Sequence, residues 1–207
     1  GHRAGADVVK PLMYACRDRG VKTLTLFAFS SENWYRPEAE VRALMALLSR
    51  YLRREIKQLA EDGVRVRFIG RRDRLSPRIA KLLEWSEQAT AHNTDTTLVL
   101  ALDYGGRWDV SEAASALAHD VEAGRLRAED IDETSLSARM SLADQPTLDL
   151  CIRTGGEYRL SNFLLWQSAY AELWFTKTLW PDFTVEELDV AIDHFAGRER
   201  RYGGRPA

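Results

Sequence analysis

The sequence predicts an α/β fold in which a mostly parallel central sheet is flanked by helices. Strand-like and helix-like segments alternate along the chain, and strands joined through helices run parallel. Of the 207 residues, 45% are hydrophobic and 29% are charged, which suits one sizeable core. No repeat, linker or low-complexity stretch interrupts the chain, so we expect a single domain over residues 1–207.

The first half of the chain alternates between strands and helices. Lys22–Phe29 is rich in β-forming residues and ends at a serine pair, which is typical of a buried strand that enters a loop. A helix is predicted from Pro37 until Gly63 stops it, because apolar residues recur every three or four positions: Val41, Leu44, Leu48, Leu52, Ile56 and Leu59. The next elements are a period-two strand at Val64–Phe68, a helix from Ser76 to Ala91 and a strand at Thr96–Leu102.

The second half continues this alternation and indicates where a ligand would bind. The predicted elements are a helix at Trp108–Ala123, strands at Leu148–Ile152 and Leu173–Thr176, and a closing helix at Val185–Ala196. In sheets of this kind ligands bind beyond the carboxyl ends of the strands. We therefore expect the site in the segments that follow Phe29, Leu102 and Ile152.

Composition excludes several classes of protein. Lysine and arginine total 29 against 31 acidic residues, so the net charge is −2 and the broad positive field of a general nucleic-acid binder is absent. Cys16 and Cys151 lie far apart without companion ligands, which argues against a disulfide framework or a zinc site. No apolar run approaches the roughly 18 residues of a membrane span, and no signal segment opens the chain. We expect a cytoplasmic protein.

The segment Arg153–Asn162 has the composition of an anion site. A glycine pair lies between two arginines, and glycine lets backbone N–H groups approach a phosphate closely. Arg153 and Arg159 would supply charged hydrogen bonds, and Ser161 is placed to cap a following short helix. The alternative is a Gly-Gly turn between solvent-exposed arginines, which is the commoner origin of such a pattern.

Four motifs together resemble those of cis-prenyltransferases: Phe27–Pro37, Tyr104–Asp109, Arg153–Glu172 and Glu199–Gly204. The resemblance implies condensation of isopentenyl diphosphate with an allylic diphosphate such as farnesyl diphosphate, with each new double bond in the Z configuration. It implies a long polyprenyl diphosphate for the lipid carrier of cell-wall glycans, Mg²⁺ as cofactor, and peripheral membrane contact through the product. It also implies a homodimer, with Phe163–Trp174 and Glu199–Gly204 as candidate interface segments. Two alternatives remain, a short- or medium-chain homologue and a noncatalytic partner subunit.

The resemblance also assigns roles to individual residues. Arg153, Arg159 and Ser161 would hold isopentenyl diphosphate, Glu172 would bind the metal, and Asn33 would position the isopentenyl group or assist proton transfer. Other substrate contacts would come from the following residues: His2, Ser30, Trp34 and Arg36. Judged from the residues alone, Ser30–Asn33 is equally typical of a turn that caps a helix, and Trp34 of a surface aromatic.

The sequence departs from the family pattern in three places. Family members carry an Asp-Gly-Asn-x-Arg-Trp segment before the Gly-His motif that opens this sequence, and its aspartate binds magnesium. That segment is absent from the 207 residues, so we expect an N-terminally incomplete chain that is not competent alone. Tyr158 stands where many bacterial members have histidine, and Asp103 stands where asparagine is common.

Overall fold

The structure is a computed structural model that describes the backbone of residues 2–198 and the side chains of residues 4–198. Its helices are α1 (His2–Asp7), α2 (Val9–Asp18), α3 (Glu38–Glu61), α4 (Pro77–Thr90), α5 (Gly106–Glu122), α6 (Glu133–Ser137) and α7 (Val185–Ala196). Its strands are β1 (Thr23–Ser30), β2 (Val64–Ile69), β3 (Thr96–Tyr104), β4 (Leu150–Arg153) and β5 (Glu172–Phe175). Every predicted strand and helix is present, with ends that differ by at most two residues. No helix in the described part is long and apolar enough to cross a bilayer.

All strand pairs are parallel, which confirms the predicted architecture. Strands β1, β3 and β2 form one hydrogen-bonded group in that order, and β4 pairs with β5 in a second group. Strand β3 is central in its group and is buried on both faces. Leu98, Leu100 and Leu102 enter one core layer, whereas Val99 and Ala101 enter the other.

The register between β1 and β3 shifts twice just before these strands end. Phe27 is opposite Ala101 but Phe29 is opposite Leu102, so Ala28 is an extra residue in β1. Ser30 is then opposite Tyr104, so Asp103 is an extra residue in β3. Bulges of this kind change the direction of the following side chains, and both lie where the strands enter loops.

Capping residues explain where two helices begin. The Ser76 side chain accepts a hydrogen bond from the Ile79 N–H, and Pro77 occupies the first turn of α4. The Thr184 side chain accepts from the Glu187 N–H at the start of α7. These local signals account for the agreement between the predicted and observed starts.

Candidate functional site

The carboxyl ends of β1, β3 and β4 are joined at one edge of the fold by Asn162, which follows β4. Asn162 Nδ2 donates to Glu32 Oε1, after β1, at 2.8 Å. Asn162 Oδ1 accepts from the Arg107 N–H at 2.9 Å, and its carbonyl accepts from the Gly106 N–H at 2.6 Å, both in the first turn of α5. The three segments predicted to carry the site are thus brought together, and we call this set of hydrogen bonds the Asn162 tether.

The backbone around the tether adopts conformations that suit only some residue types. Ser161, Asn162 and Leu164 have φ values of 50°, 63° and 42°, in the left-handed region where asparagine is tolerated better than most residues. A Cβ on Gly105 would lie 2.6 Å from Asn162 Nδ2 and 3.3 Å from Ser31 Oγ. Glycine is therefore required for the close approach of the two loops.

The Glu32 carboxylate is held in its charged form by the tether. Burial alone would raise the pKa of Glu32, but hydrogen bonds from Asn162, its own backbone and Ser30, with the nearby charge of Arg107, outweigh that effect. The pKa of Glu32 therefore lies below its ordinary value. This edge of the site presents an ionised carboxylate at neutral pH.

Ser30 ends β1, and Asn33 lies in the 3₁₀ turn that follows it, Ser31–Tyr35. Asn33 Oδ1 accepts a hydrogen bond from the Ser30 N–H at 3.0 Å, as in a helix-capping turn. Both side chains lie on the loop that Glu32 ties to the end of β4. Asn33 Nδ2 has no hydrogen bond among the described residues and can donate to a ligand.

Two buried hydrogen-bond donors in the same loop have no partner in the described residues, namely Ser31 Oγ and Trp34 Nε1. The Trp34 ring is half-buried, with its centroid 5.2 Å from that of Phe29 in an edge-on arrangement and 5.5 Å from the Arg74 guanidinium. Trp34 is thus packed against the core and is not a surface aromatic. An unpaired buried donor costs about 1–3 kcal/mol, so a bound polar ligand would stabilise this loop.

Asp103 supports Trp34 indirectly. It is completely buried, has a φ of 49° and accepts from Arg74 Nε at 2.8 Å. A second Arg74 nitrogen contacts the other carboxylate oxygen. The aspartate at this position therefore anchors the guanidinium that lies over the Trp34 ring.

Arg36 lies at the end of the same loop and is directed away from it. Its Nη1 donates to Glu40 Oε1 at 2.6 Å, an i,i+4 ion pair with the first turn of α3. A substrate contact by Arg36 would require this exposed ion pair to open, and such pairs are weak.

The segment after β4 brings Arg153 and Ser161 together, as the anion-site interpretation requires. Arg153 Nη1 donates to Ser161 Oγ and to the Arg159 carbonyl, both at 2.8 Å. The Arg159 guanidinium instead forms an ion pair with Glu157. Two of the three predicted diphosphate ligands are therefore in contact, and the third is within the same loop but paired with a carboxylate.

Two details of the predicted anion site are wrong. The Gly155 and Gly156 N–H groups donate to the Thr178 and Thr176 carbonyls, at 2.8 and 2.9 Å, so they are not available to a phosphate. Both glycines have positive φ and form a turn that fastens this loop to the segment after β5. Ser161 caps no helix, because the chain continues through turns until the 3₁₀ turn at Gln167–Tyr170.

Glu172 is not brought beside Arg153. It begins β5 opposite Leu150, whereas Arg153 ends β4 opposite Phe175, so they are separated by three residues, or about 10 Å, along the strand pair. Arg198 Nε lies 3.9 Å from the Glu172 carboxylate. No three His, Cys, Asp or Glu side chains between residues 4 and 198 are grouped as metal ligands. Tyr158 is 70% exposed, and its ring centroid lies 5.4 Å from that of Phe175. It adds no metal ligand to this group.

Two predicted segments lie partly or wholly outside the described residues. His2 begins α1, but its side chain is not among those described. Nearby, Trp180 Nε1 donates to the Gly5 carbonyl at 2.8 Å and fixes α1 against the turn before α7. The terminal motif Glu199–Gly204 lies outside the described range.

Sequence reasoning missed Asn162 and two cations at this edge. Arg107 and Lys177 form no ion pair with described residues, and Lys177 Cα and Cγ would be 3.9 Å from a Cβ on Gly156. Lys177 follows β5, so extending the rule on strand ends to all five strands would have found it. Arg107 lies within the motif Tyr104–Asp109, and its charge is near the Glu32 carboxylate. Cations without ion pairs at this edge favour binding of an anion.

A second hydrogen-bond network connects the segment Tyr104–Asp109 to the segment that follows Arg153. Asp109 Oδ2 accepts from the Tyr104 hydroxyl at 2.8 Å and from Gln167 Nε2 at 3.0 Å. Asp109 Oδ1 accepts from the Ser141 N–H at 2.9 Å. Burial and the adjacent Asp109 charge raise the pKa of Tyr104, so its hydroxyl stays protonated and donates. These residues hold the tethered loops in place.

The fold and this edge define an α/β protein with a candidate anion-binding site at the carboxyl ends of its strands. A family model described as putative undecaprenyl diphosphate synthase matches residues 1–203. The ditrans,polycis-undecaprenyl-diphosphate synthase ((2E,6E)-farnesyl-diphosphate specific) of Xanthomonas axonopodis pv. citri is 55% identical over 203 residues, 98% of this chain and 79% of the relative. The chain belongs to the undecaprenyl diphosphate synthase family.

Solved structures with similar folds support the same assignment. Lavandulyl diphosphate synthase from Lavandula x intermedia, in complex with dimethylallyl diphosphate, superposes with a TM-score of 0.93 at 34% identity, covering 98% of this chain and 87% of that chain. A probable undecaprenyl diphosphate synthase from Campylobacter jejuni has a TM-score of 0.86 at 35% identity, covering 97% and 92%. The resemblance to cis-prenyltransferases is confirmed. Members of the family need a divalent metal ion.

Proposed function

We propose that this chain extends farnesyl diphosphate with isopentenyl diphosphate to a long Z-polyprenyl diphosphate such as undecaprenyl diphosphate, which serves the synthesis of the cell-wall lipid carrier. The allylic C1–O bond breaks and diphosphate leaves. A carbon–carbon bond forms to the isopentenyl unit, which then loses a proton to give the new double bond. The names of the relatives support this substrate pair.

The observation that carries the proposal is the contact between Arg153 and Ser161. Arg153 Nη1 is fixed by two acceptors, so the guanidinium is oriented before an anion arrives. Arg159 would join them when its ion pair with Glu157 opens. Together they would hold the diphosphate of isopentenyl diphosphate through charged hydrogen bonds.

The loop after β1 would orient the reacting carbon chains. Asn33 Nδ2 would position the isopentenyl group, while Oδ1 stays bonded to the Ser30 N–H. Trp34 Nε1 is buried without a partner among the described residues, and it would donate to a substrate oxygen once the loop moves to admit the substrate. Ser30, Arg36 and His2 complete our proposed set of substrate contacts. Because the loop is tied to the segment after β4, both substrates would be held in fixed relation.

Mg²⁺ is the divalent ion that we propose for this site. Mg²⁺ binds proteins through one or two carboxylates together with substrate phosphates, so a single carboxylate such as Glu172 fits it better than a metal that needs a full protein cage. When bound, it would neutralise negative charge that develops on the leaving diphosphate. Glu172 would have to exchange its distant contact with Arg198 for the metal.

We propose further that residues 1–207 form one domain and that two copies assemble into a homodimer through Phe163–Trp174 and Glu199–Gly204. The first of these segments contains Leu173, an exposed apolar side chain at 44% exposure. Light scattering on the purified protein should give twice the chain mass. A monomer at micromolar concentration would contradict the assembly.

Chain extension tests the proposed reaction directly. The protein at its natural full length is incubated with farnesyl diphosphate, labelled isopentenyl diphosphate and Mg²⁺, with EDTA in a parallel reaction, and the products are separated by length. Long Z-products that disappear with EDTA are expected. Products that stop after one or two additions would favour a short-chain synthase, and no extension at all would contradict the enzyme proposal.

Replacing Arg153 tests the diphosphate site. Arg153→Ala removes charged hydrogen bonds worth about 1.5–3 kcal/mol, so the KM for isopentenyl diphosphate should rise roughly 10- to 150-fold. Arg153→Lys should recover only part of the loss, because lysine cannot form the same fork. An unchanged KM in Arg153→Ala would show that another group binds the diphosphate.

A further inference from the structure

A second group of unpaired cations lies away from the candidate site. Most arginines and lysines between residues 4 and 198 form ion pairs, and those that form none are Lys22, Arg50, Arg53, Lys57, Arg65, Arg78, Lys81, Arg107, Arg153 and Lys177. Half of them are on α3 and α4, whereas the other half are spread over the rest of the described chain. This concentration on two adjacent helices needs its own explanation.

These cations form one face with an exposed tryptophan. Arg53 of α3 and Arg78, Lys81, Leu82 and Trp85 of α4 line a shallow, open depression of about 550 Å³. Trp85 is 40% exposed. Arg50 and Lys57 are three and four residues from Arg53, and therefore extend from the same side of α3. We call the six residues Arg50, Arg53, Lys57, Arg78, Lys81 and Trp85 the basic-aromatic face.

Few acidic residues oppose this charge. The exposed acids nearest in sequence on the two helices are Glu61, one turn after Lys57, and Glu84, beside Trp85. Neither forms an ion pair with a described residue. The face keeps an excess of positive charge although the whole chain has a net charge of −2.

We propose that the basic-aromatic face docks the protein on a bilayer that contains anionic phospholipid. Lysine and arginine are attracted to anionic headgroups, and tryptophan partitions to the headgroup level, where its ring is apolar and its N–H is wet. A nucleic acid fits less well, since the cations of this face cover one small area and the whole chain has a net charge of −2. The purpose of docking rests on the proposed function, because a long polyprenyl tail has to enter a bilayer.

The sequence did not indicate this face because no single helix carries it. Arg50, Arg53 and Lys57 lie on α3, whereas Arg78, Lys81 and Trp85 lie on α4, across β2 in the chain. The packing of α3 against α4 places the two short rows side by side. A search for one basic amphipathic helix would therefore miss it.

Vesicle flotation without substrates tests the docking. The full-length protein should float with phosphatidylcholine vesicles that contain phosphatidylglycerol, and much less with pure phosphatidylcholine. Each basic residue near an anionic surface contributes about 1 kcal/mol, so Arg78→Gln/Lys81→Gln should weaken partitioning by about 30-fold. Trp85→Ala should weaken binding in the same direction.

A matched control distinguishes an effect of this face from an effect of positive charge in general. The double variant Lys22→Gln/Arg65→Gln removes two cations that also form no ion pair with described residues. Lys22 precedes β1 and Arg65 lies in β2, so this variant should bind vesicles like the parent protein. Equal loss in both double variants, equal flotation with neutral vesicles, or preferential loss of binding to a short DNA duplex would each overturn the proposal.

Chain extension in detergent distinguishes failure of docking from failure of the proposed function. None of the variants touches the candidate site, so each should extend farnesyl diphosphate in detergent at the parent rate. Parent-like activity with unchanged flotation contradicts only the docking. Absence of activity in the parent protein contradicts only the proposed reaction, because flotation is measured without substrates.

Discussion

The hydrogen bond between Asn162 and Glu32 can be reversed without a change in net charge, and this gives a sharp test of the Asn162 tether. Asn162→Asp alone places two carboxylates against each other, because Nδ2 now donates to Glu32 Oε1 at 2.8 Å. Glu32→Gln alone places two amides together. The double variant Asn162→Asp/Glu32→Gln restores one amide and one carboxylate, with the donor and the acceptor exchanged between the two positions.

The size of the effect follows from the contacts. A hydrogen bond to a charged group contributes about 1.5–3 kcal/mol, and the lower end applies because this pair is exposed. Two like charges about 4 Å apart in water add about 1 kcal/mol of repulsion. Asn162→Asp should therefore destabilise the protein by about 2.5 kcal/mol at neutral pH, which lowers Tm by roughly 5–10 °C for a chain of this length.

The pH dependence has a definite sign. Since the pKa of Glu32 is lowered in the folded parent protein, its contribution is present above its ordinary value of 4.5 and is lost as pH falls. In Asn162→Asp the two carboxylates share a proton at low pH, which removes the repulsion. The Tm deficit of the variant should thus be largest at neutral pH and should narrow below about pH 4.5.

Thermal unfolding followed by circular dichroism, together with kcat/KM, measures the outcome. Each single variant should lose stability and kcat/KM, because the loop that carries Asn33 and Trp34 is no longer fixed to the end of β4. The double variant should recover most of both. If it is no better than the worse single variant, or if the Asn162→Asp deficit does not change with pH, the reasoning is refuted.

Three further changes test individual contacts, two of them in the candidate site and one between α2 and α3. Gly105→Ala places a Cβ 2.6 Å from Asn162 Nδ2 and should lower both Tm and kcat/KM, whereas Gly155→Ala meets no atom within 4 Å. Gly155→Ala should cost only the left-handed strain of about 1–2 kcal/mol, and equal losses of kcat/KM in the two variants would contradict this distinction. Lys10→Met removes a 3.0 Å ion pair with Glu55. Burial alone would raise the pKa of Glu55, but hydrogen bonds from Lys10 and Arg54 lower it, so the Tm loss should be present at pH 7 and should shrink below about pH 4.5.

Local signals made the secondary structure predictable. The alternation in β2 places Val64, Val66 and Phe68 in the core, and the observed strand ends one residue beyond the prediction. The capping threonine before Val185 fixes the start of α7. In both cases the residues that decide the structure are adjacent in sequence, so their pattern is visible without knowledge of the fold.

The hydrogen-bond partners of the site could not be predicted in the same way. The Asn162 side chain bonds to Glu32, 130 positions earlier in the chain, and to Arg107, 55 positions earlier. The N–H groups of Gly155 and Gly156 are used by the segment after β5, although the same glycine pair is compatible with a phosphate loop. Spacing shows that such groups occur, but only the packing of the strands decides which partner each one meets.

The tether also changes how the motif Tyr104–Asp109 should be interpreted. Tyr104 and Asp109 are buried in a hydrogen-bond network, and Gly105 and Gly106 make room for Asn162 and Leu165. Asp109 is held by hydrogen bonds from neutral groups, and Arg107 is the cation of the motif and has no ion pair in the described residues. Most of this motif therefore positions the loops of the candidate site, and we expect it not to contact substrate. Substitutions in it should reduce stability and activity together, whereas substitution of Arg153 should act chiefly on the KM for isopentenyl diphosphate, and this difference separates positioning residues from ligands.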